Sequence, residues 1–128
     1  MDPAKLLQEL VRIPSPNPPG DTRALSGYIT DVLHSVGCEV RMVAPDTKPE
    51  AVSIVAAIGQ GDPVIMLHAH IDTVPIGANE AQQWTVDPYA GVIQDGRLYG
   101  KGSVDDKAPL AAMMRGWCSM PKPASEAT

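Results

Sequence analysis

Val64-Ile65-Met66-Leu67-His68-Ala69-His70-Ile71-Asp72-Thr73-Val74-Pro75 is the stretch on which the reading of this chain turns. The apolar run from Val64 to Leu67 leads straight into polar residues. That is the pattern of a buried strand that delivers side chains at its C-terminal end. Alternate residues of a strand share a face, so His70 and Asp72 point the same way. An imidazole with a carboxylate two positions on suits a metal site. One ring nitrogen ligates, and the carboxylate fixes the tautomer or adds to the negative field. His68 lies on the same face and reads as an ordinary histidine lower in the strand, with an extra ligand as the alternative. A bare His-x-Asp is short, and a strand end with incidental polar residues is its commoner explanation.

Upstream of this stretch, Asp2-Pro3 suits a helix start, with a cap followed by a proline at the first helical position. Leu6, Leu7, Leu10 and Val11 then form one helical face. The proline-rich run from Ile13 to Gly20 ends that helix. Asp21 is placed to cap a second helix, whose Leu25, Tyr28, Ile29, Val32, Leu33 and Val36 keep the helical period. Gly37 closes it. Cys38 to Val43 and Val52 to Ile58 read as strands, and Gly59 to Pro63 turns into the strand of the opening motif.

Downstream, Thr73 to Ala90 shows no periodicity, and a long loop of that kind in a small domain is usually functional. A short hairpin is expected around Asp95-Gly96. Gly100-Lys101-Gly102 lacks the spacing of a phosphate-binding loop. The stronger feature is Asp105-Asp106, paired carboxylates where a loop enters a helix carrying Leu110, Ala111, Met113, Met114 and Trp117. Helix capping explains such a pair on its own. Together with His-x-Asp at a strand end, it has the composition of a zinc site.

The chain has 128 residues, enough for one ordinary domain. Hydrophobic residues make up 44% and charged residues 20%, which is a globular composition and not a disordered one. The net charge of −5, with no basic run, argues against nucleic acid as a partner. No apolar run approaches membrane-spanning length, and Met1-Asp2-Pro3 does not open a signal peptide. Cys38 and Cys118 form no disulfide framework and read as buried thiols of a reducing, cytoplasmic compartment. The expected organisation is a unit over residues 1–120 followed by a polar tail over 121–128.

Three stretches in order carry a family resemblance. Leu67 to Pro75 is similar to an apolar-x-Gly-His-x-Asp-x-Val-Pro signature. Trp84-Thr85-Val86-Asp87-Pro88-Tyr89 leads through Asp95-Gly96-Arg97-Leu98-Tyr99 into Gly100-Lys101-Gly102-Ser103-Val104-Asp105-Asp106-Lys107. Ile13-Pro14-Ser15 with Asn17-Pro18 matches an early loop. Together they resemble the N-terminal part of the co-catalytic zinc metallopeptidase and deacylase family. That family includes acetylornithine deacetylase, succinyl-diaminopimelate desuccinylase, glutamate carboxypeptidase, aminoacylase and related dipeptidases. The resemblance implies an α/β fold with helices packed on a mixed β-sheet. It implies His70 and Asp105 as metal ligands, with Asp105 bridging two Zn2+ ions (Co2+ or Mn2+ as alternatives). It implies a catalytic role for Asp72 beside His70, supporting roles for Asp106 and Lys107, and a cis peptide between Asp105 and Asp106. The implied substrates are N-acyl amino acids or small peptides, and the implied assembly is a homodimer.

The sequence departs from the pattern at Lys101, where arginine is usual, and at Ala69 and Ala108, where glycine is usual. The catalytic glutamate and later metal ligands of the family have no counterpart. After Asp106 the chain offers only Glu126 and no histidine. It therefore reads as a truncated hydrolase, with a non-catalytic relic or partner-binding module of the same fold as the alternative. His68-x-His70-x-Asp72 also echoes metallo-β-lactamase-like and barrel amidohydrolase motifs. Thr73 stands at the next histidine position of the first, the later histidines of the second are missing, and neither accounts for Gly100 to Lys107.

Overall fold

A computed structural model describes residues 1–121. The tail expected over 121–128 lies, past Pro121, outside the described residues, and Glu126 with it. Helix α1 (Pro3–Arg12) starts as its sequence suggests: the Asp2 carboxylate accepts the Ala4 N–H at 2.9 Å and proline occupies the first turn. It buries Leu6, Leu10 and Val11. In helix α2 (Arg23–Ser35) Thr22 occupies the cap position without a side-chain cap bond, and the Asp21 carboxylate accepts the Arg23 N–H at 3.1 Å. The Thr22 hydroxyl does not cap in the usual way. It donates to the Val52 carbonyl at 2.7 Å, tying the helix start to the residue just before the strand Ser53–Ala57. Asp21 instead pairs with Arg23 at 2.7 Å, which holds its carboxyl down at about 2. Gly37, at φ 89, ends the helix in the left-handed conformation expected of it.

Strands β1 (Glu39–Val43) and β2 (Ser53–Ala57) pair antiparallel in the register Glu39↔Ala57 to Val43↔Ser53. Strands β3 (Val92–Gln94) and β4 (Arg97–Tyr99) form the expected hairpin. Asp95 and Gly96 between them sit at φ 52 and 72, the positive angles that a tight two-residue turn requires. Helix α3 (Ala108–Cys118) packs on α1, and α2 packs on β1 and β2. Leu6, Leu10, Leu25, Ile29, Leu33 and Met114 form the centre of one core, each no more than 2% exposed.

The α/β class stands; in place of the mixed sheet that the resemblance implies, the described residues form two separate antiparallel pairs. Parallel pairing is reduced to one isolated bridge, Pro16↔Thr73. Val64 to Leu67, expected as a buried strand, has no ladder partner there. Val64, Ile65 and Met66 are 81%, 81% and 85% exposed. The reason lies beside it: β2 pairs with β1 along one edge, and a cavity of about 510 Å³ separates Ala51–Ala56 from Leu67–Asp72. A strand with no neighbour has nothing to bury its side chains against. Helix α3 behaves in the opposite way. Leu110 and Met114 are 8% and 0% exposed, because α1 covers them; Met113 and Trp117 are half-buried.

Candidate metal centre

Three chain segments meet where Asp72 ends its run. The early loop is stitched to it by backbone: Asn17 N–H donates to the Thr73 carbonyl at 2.8 Å, and Thr73 N–H donates to Ser15 at 2.9 Å. The buried Ser15 hydroxyl adds a bond to the Ile71 carbonyl at 2.7 Å. The third segment is the loop from Gly100. Gly102 lies at φ 73 against Thr73, and a Cβ there would run into the Thr73 methyl. A wide turn, Ser103–Lys107, follows, in which Asp105 and Asp106 leave helical dihedral angles. The peptide joining them is cis.

This packing brings His70 and Asp105 together across 35 residues of sequence, with His70 Nε2 2.8 Å from Asp105 Oδ1. The other ring nitrogen, Nδ1, is 2.9 Å from the Asp72 carbonyl and 3.3 Å from Asp72 Oδ1. Both nitrogens thus face acceptors. The hydrogen bond to Asp105, with lesser help from Asp72, raises the His70 pKa above its ordinary value. A ring in this setting holds a proton between two atoms, an imidazole nitrogen and a carboxylate oxygen, that are both ordinary ligands of a divalent metal. The donor types therefore fit such an ion, with Asp72 set to hold the Nδ1 proton while Nε2 faces the site. Asp105 is 80% exposed at its side chain, and among the described residues no group of three His, Cys, Asp or Glu side chains encloses a metal. The described donors would supply only part of the shell such an ion takes.

The sequence-expected residues divide accordingly. His70, Asp72 and Asp105 come together. His68 is exposed and lines the cavity beside Leu67–Asp72. Lys107 is fully buried: its ammonium donates to the Leu10 and Ile13 carbonyls at 2.9 and 3.0 Å, at the C-terminal end of α1. Burial pushes its pKa down to about 8, and the two carbonyls are its compensation. Its side chain thus pegs the turn that carries Asp105 to the end of α1. Lys101 pairs with Glu80 at 2.6 Å, and Glu80 also accepts from Trp84 Nε1 at 3.1 Å. These bonds lower the Glu80 pKa and fasten the long 73–90 loop to the 100–107 loop.

Glu80 and the role of Asn17 escaped sequence reasoning. Asn17 Nδ2 donates to Asp72 Oδ2 at 3.0 Å. A signal for Glu80 existed, its four-residue spacing to Trp84 on a 3-10 turn at Ala81–Gln83. For Lys107 the signal was a cation at a helix N-terminus, where the helix dipole disfavours it.

Residues 66–122 match the profile of peptidase family M20/M25/M40. Succinyl-diaminopimelate desuccinylase of Parvibaculum lavamentivorans is 36% identical over 115 residues, covering 88% of this chain and 28% of the relative. The enzyme of the same description from Rhodospirillum centenum is 39% identical over 116 residues, covering 88% and 29%. The structure superposes on human carnosine dipeptidase 1 with a TM-score of 0.70 at 27% identity, over 90% of this chain and 27% of that one. The likeness to the M20/M25/M40 peptidase family is carried by residues 66–122. The chain spans under a third of the length of these relatives, 27–29%.

Proposed function

We propose that the chain is part of the catalytic domain, over residues 1–120, of a metal-dependent hydrolase of amide bonds in N-acyl amino acids or small peptides. His70 and Asp105 are its metal ligands, and Asp72 is the catalytic-site carboxylate that orients His70. Zinc is the proposed metal, which His70 and Asp105 would hold, with cobalt or manganese able to substitute. A bound divalent ion would supply an acidified water and polarise the scissile carbonyl. The chain's own residues supply the rest described here: Asp72 holds the proton on Nδ1, and Lys107 anchors the turn that presents Asp105.

The observation that carries this reading is the 2.8 Å approach of His70 Nε2 to Asp105 Oδ1 from distant segments. The names of the matched relatives, a desuccinylase and a dipeptidase, support the substrate class. A second reading, a non-catalytic or partner-dependent segment, is favoured by the open donor set among the described residues. Calorimetric titration with zinc tests the first. Weak, saturable binding is expected, lost in His70→Ala and in Asp105→Ala, with no turnover of N-acetyl amino acids by this chain alone. Zinc binding unchanged in both variants would remove the assignment.

A further inference from the structure

We propose that Asn17 is a positioning residue for the candidate metal centre: it holds the Asp72 carboxylate against Nδ1 of the His70 ring and so fixes the orientation in which Nε2 faces Asp105. The inference rests on the metal-site reading above for its consequence, but its geometry stands alone. The Asp72 carboxylate is engaged on both oxygens. Oδ2 accepts from Asn17 Nδ2 at 3.0 Å, and Oδ1 lies 3.3 Å from His70 Nδ1. A carboxylate can only accept here, so the amide must present its NH2 and the direction of that bond is settled by chemistry. Without Asn17 the carboxylate would be free to rotate, and only the Asp72 carbonyl, at 2.9 Å, would face Nδ1.

Asn17 is suited to this task because its backbone is already fixed. Its N–H is bonded to Thr73, the residue after Asp72, so the amide and the carboxylate spring from neighbouring points of one bridge between the early loop and the metal-site segment. The side-chain bond itself is exposed and adds little to global stability. Its effect is on the direction of a ligand, and partners of that kind are worth roughly 10–100-fold in metal affinity.

The test compares the full chain with Asn17→Ala and with Asn17→Asp, which keeps the shape but places a second carboxylate against Asp72. Proton–nitrogen-15 NMR of the metal-free proteins, at a pH where the ring is charged and both nitrogens carry a proton, reads the hydrogen bond made by the His70 Nδ1–H. Zinc affinity is measured by chelator competition. In the unaltered chain the Nδ1–H signal should be that of a proton held by an acceptor. Both variants should shift that signal toward a free ring N–H and bind zinc about tenfold more weakly or worse, with an unchanged thermal midpoint. An unchanged Nδ1–H signal in both variants would overturn the proposal. A shifted signal in a chain that binds no zinc would uphold the positioning role and remove the metal reading instead.

Discussion

The loop junction around His70 and the apolar run just before it belong to one stretch of sequence and behave in opposite ways. From Ile71 to Thr73 the backbone is bonded to Ser15 and Asn17, and Thr73 is 3% exposed. A few residues earlier, Val64, Ile65 and Met66 are more than 80% exposed. Polar residues are held while aliphatic ones are not. Apolar character supplies a driving force, but burial needs a surface to be buried against. The junction gets its surface from segments present in the chain, the early loop and the Gly100 loop. The apolar run has no strand beside it among the described residues, and a cavity lies between β2 and the Leu67–Asp72 segment at its end.

Equal truncations on the two sides should separate them most sharply. Leu10, fully buried against α3, should cost about 2–5 kcal/mol on replacement by alanine. Ile65→Ala, at a site 81% exposed, should change stability by about 0.5 kcal/mol or less. Urea denaturation of both variants measures the contrast, and a large loss for Ile65→Ala would show that the run is covered in solution.

Lys107 tests whether the junction is held from beneath. Lys107→Met leaves the Leu10 and Ile13 carbonyls without their ammonium donor and should destabilise by about 1–3 kcal/mol. The pH dependence has a defined sign. The folded pKa of about 8 lies below the ordinary lysine value of 10.5, so between these values the unfolded chain binds more protons. Stability from this group should therefore rise as pH climbs through that window and stay flat below it. The slope should vanish in Lys107→Met. A slope of opposite sign would mean that the two carbonyls outweigh desolvation.

The smallest effect concerns the long loop. Glu80 is held below its ordinary pKa by Lys101 and Trp84, so its contribution is present above pH 4.5 and lost as pH falls through the lowered folded value. In a Trp117→Tyr background, Trp84 emission should change across that acid range. Glu80→Gln should abolish the transition while leaving the midpoint of urea unfolding nearly unmoved.

Much of this was legible in the residues themselves. Helical periodicity located α1, α2 and α3, and Asp95-Gly96 marked its hairpin, because these signals are local. The strand at Val64 to Leu67 was misread for the complementary reason: alternation and hydrophobicity describe a strand's faces, and only a neighbour supplies its ladder. The convergence of His70, Asp72 and Asp105 rested on motif resemblance, since no local rule joins residues 35 apart. Lys107 and Glu80 were obscured because a charged side chain's partner is set by tertiary packing. The Leu10 and Ile13 carbonyls that receive Lys107 belong to a helix end almost a hundred residues earlier.

The uncovered run has a consequence for how this polypeptide behaves in a tube. Val64-Ile65-Met66-Leu67 is rich in β-forming aliphatic side chains and carries no charge, and the nearest interruption is Pro63. Exposed, and unpaired among the described residues, it offers backbone donors and acceptors to any second molecule that approaches in the same conformation. Chains at high concentration would associate through this segment before any loss of the core. Solubility would then be governed by a tetrapeptide and not by the melting temperature. Lysine at position 65 would act as a gatekeeper, raising the usable concentration while leaving the folded centre as it was.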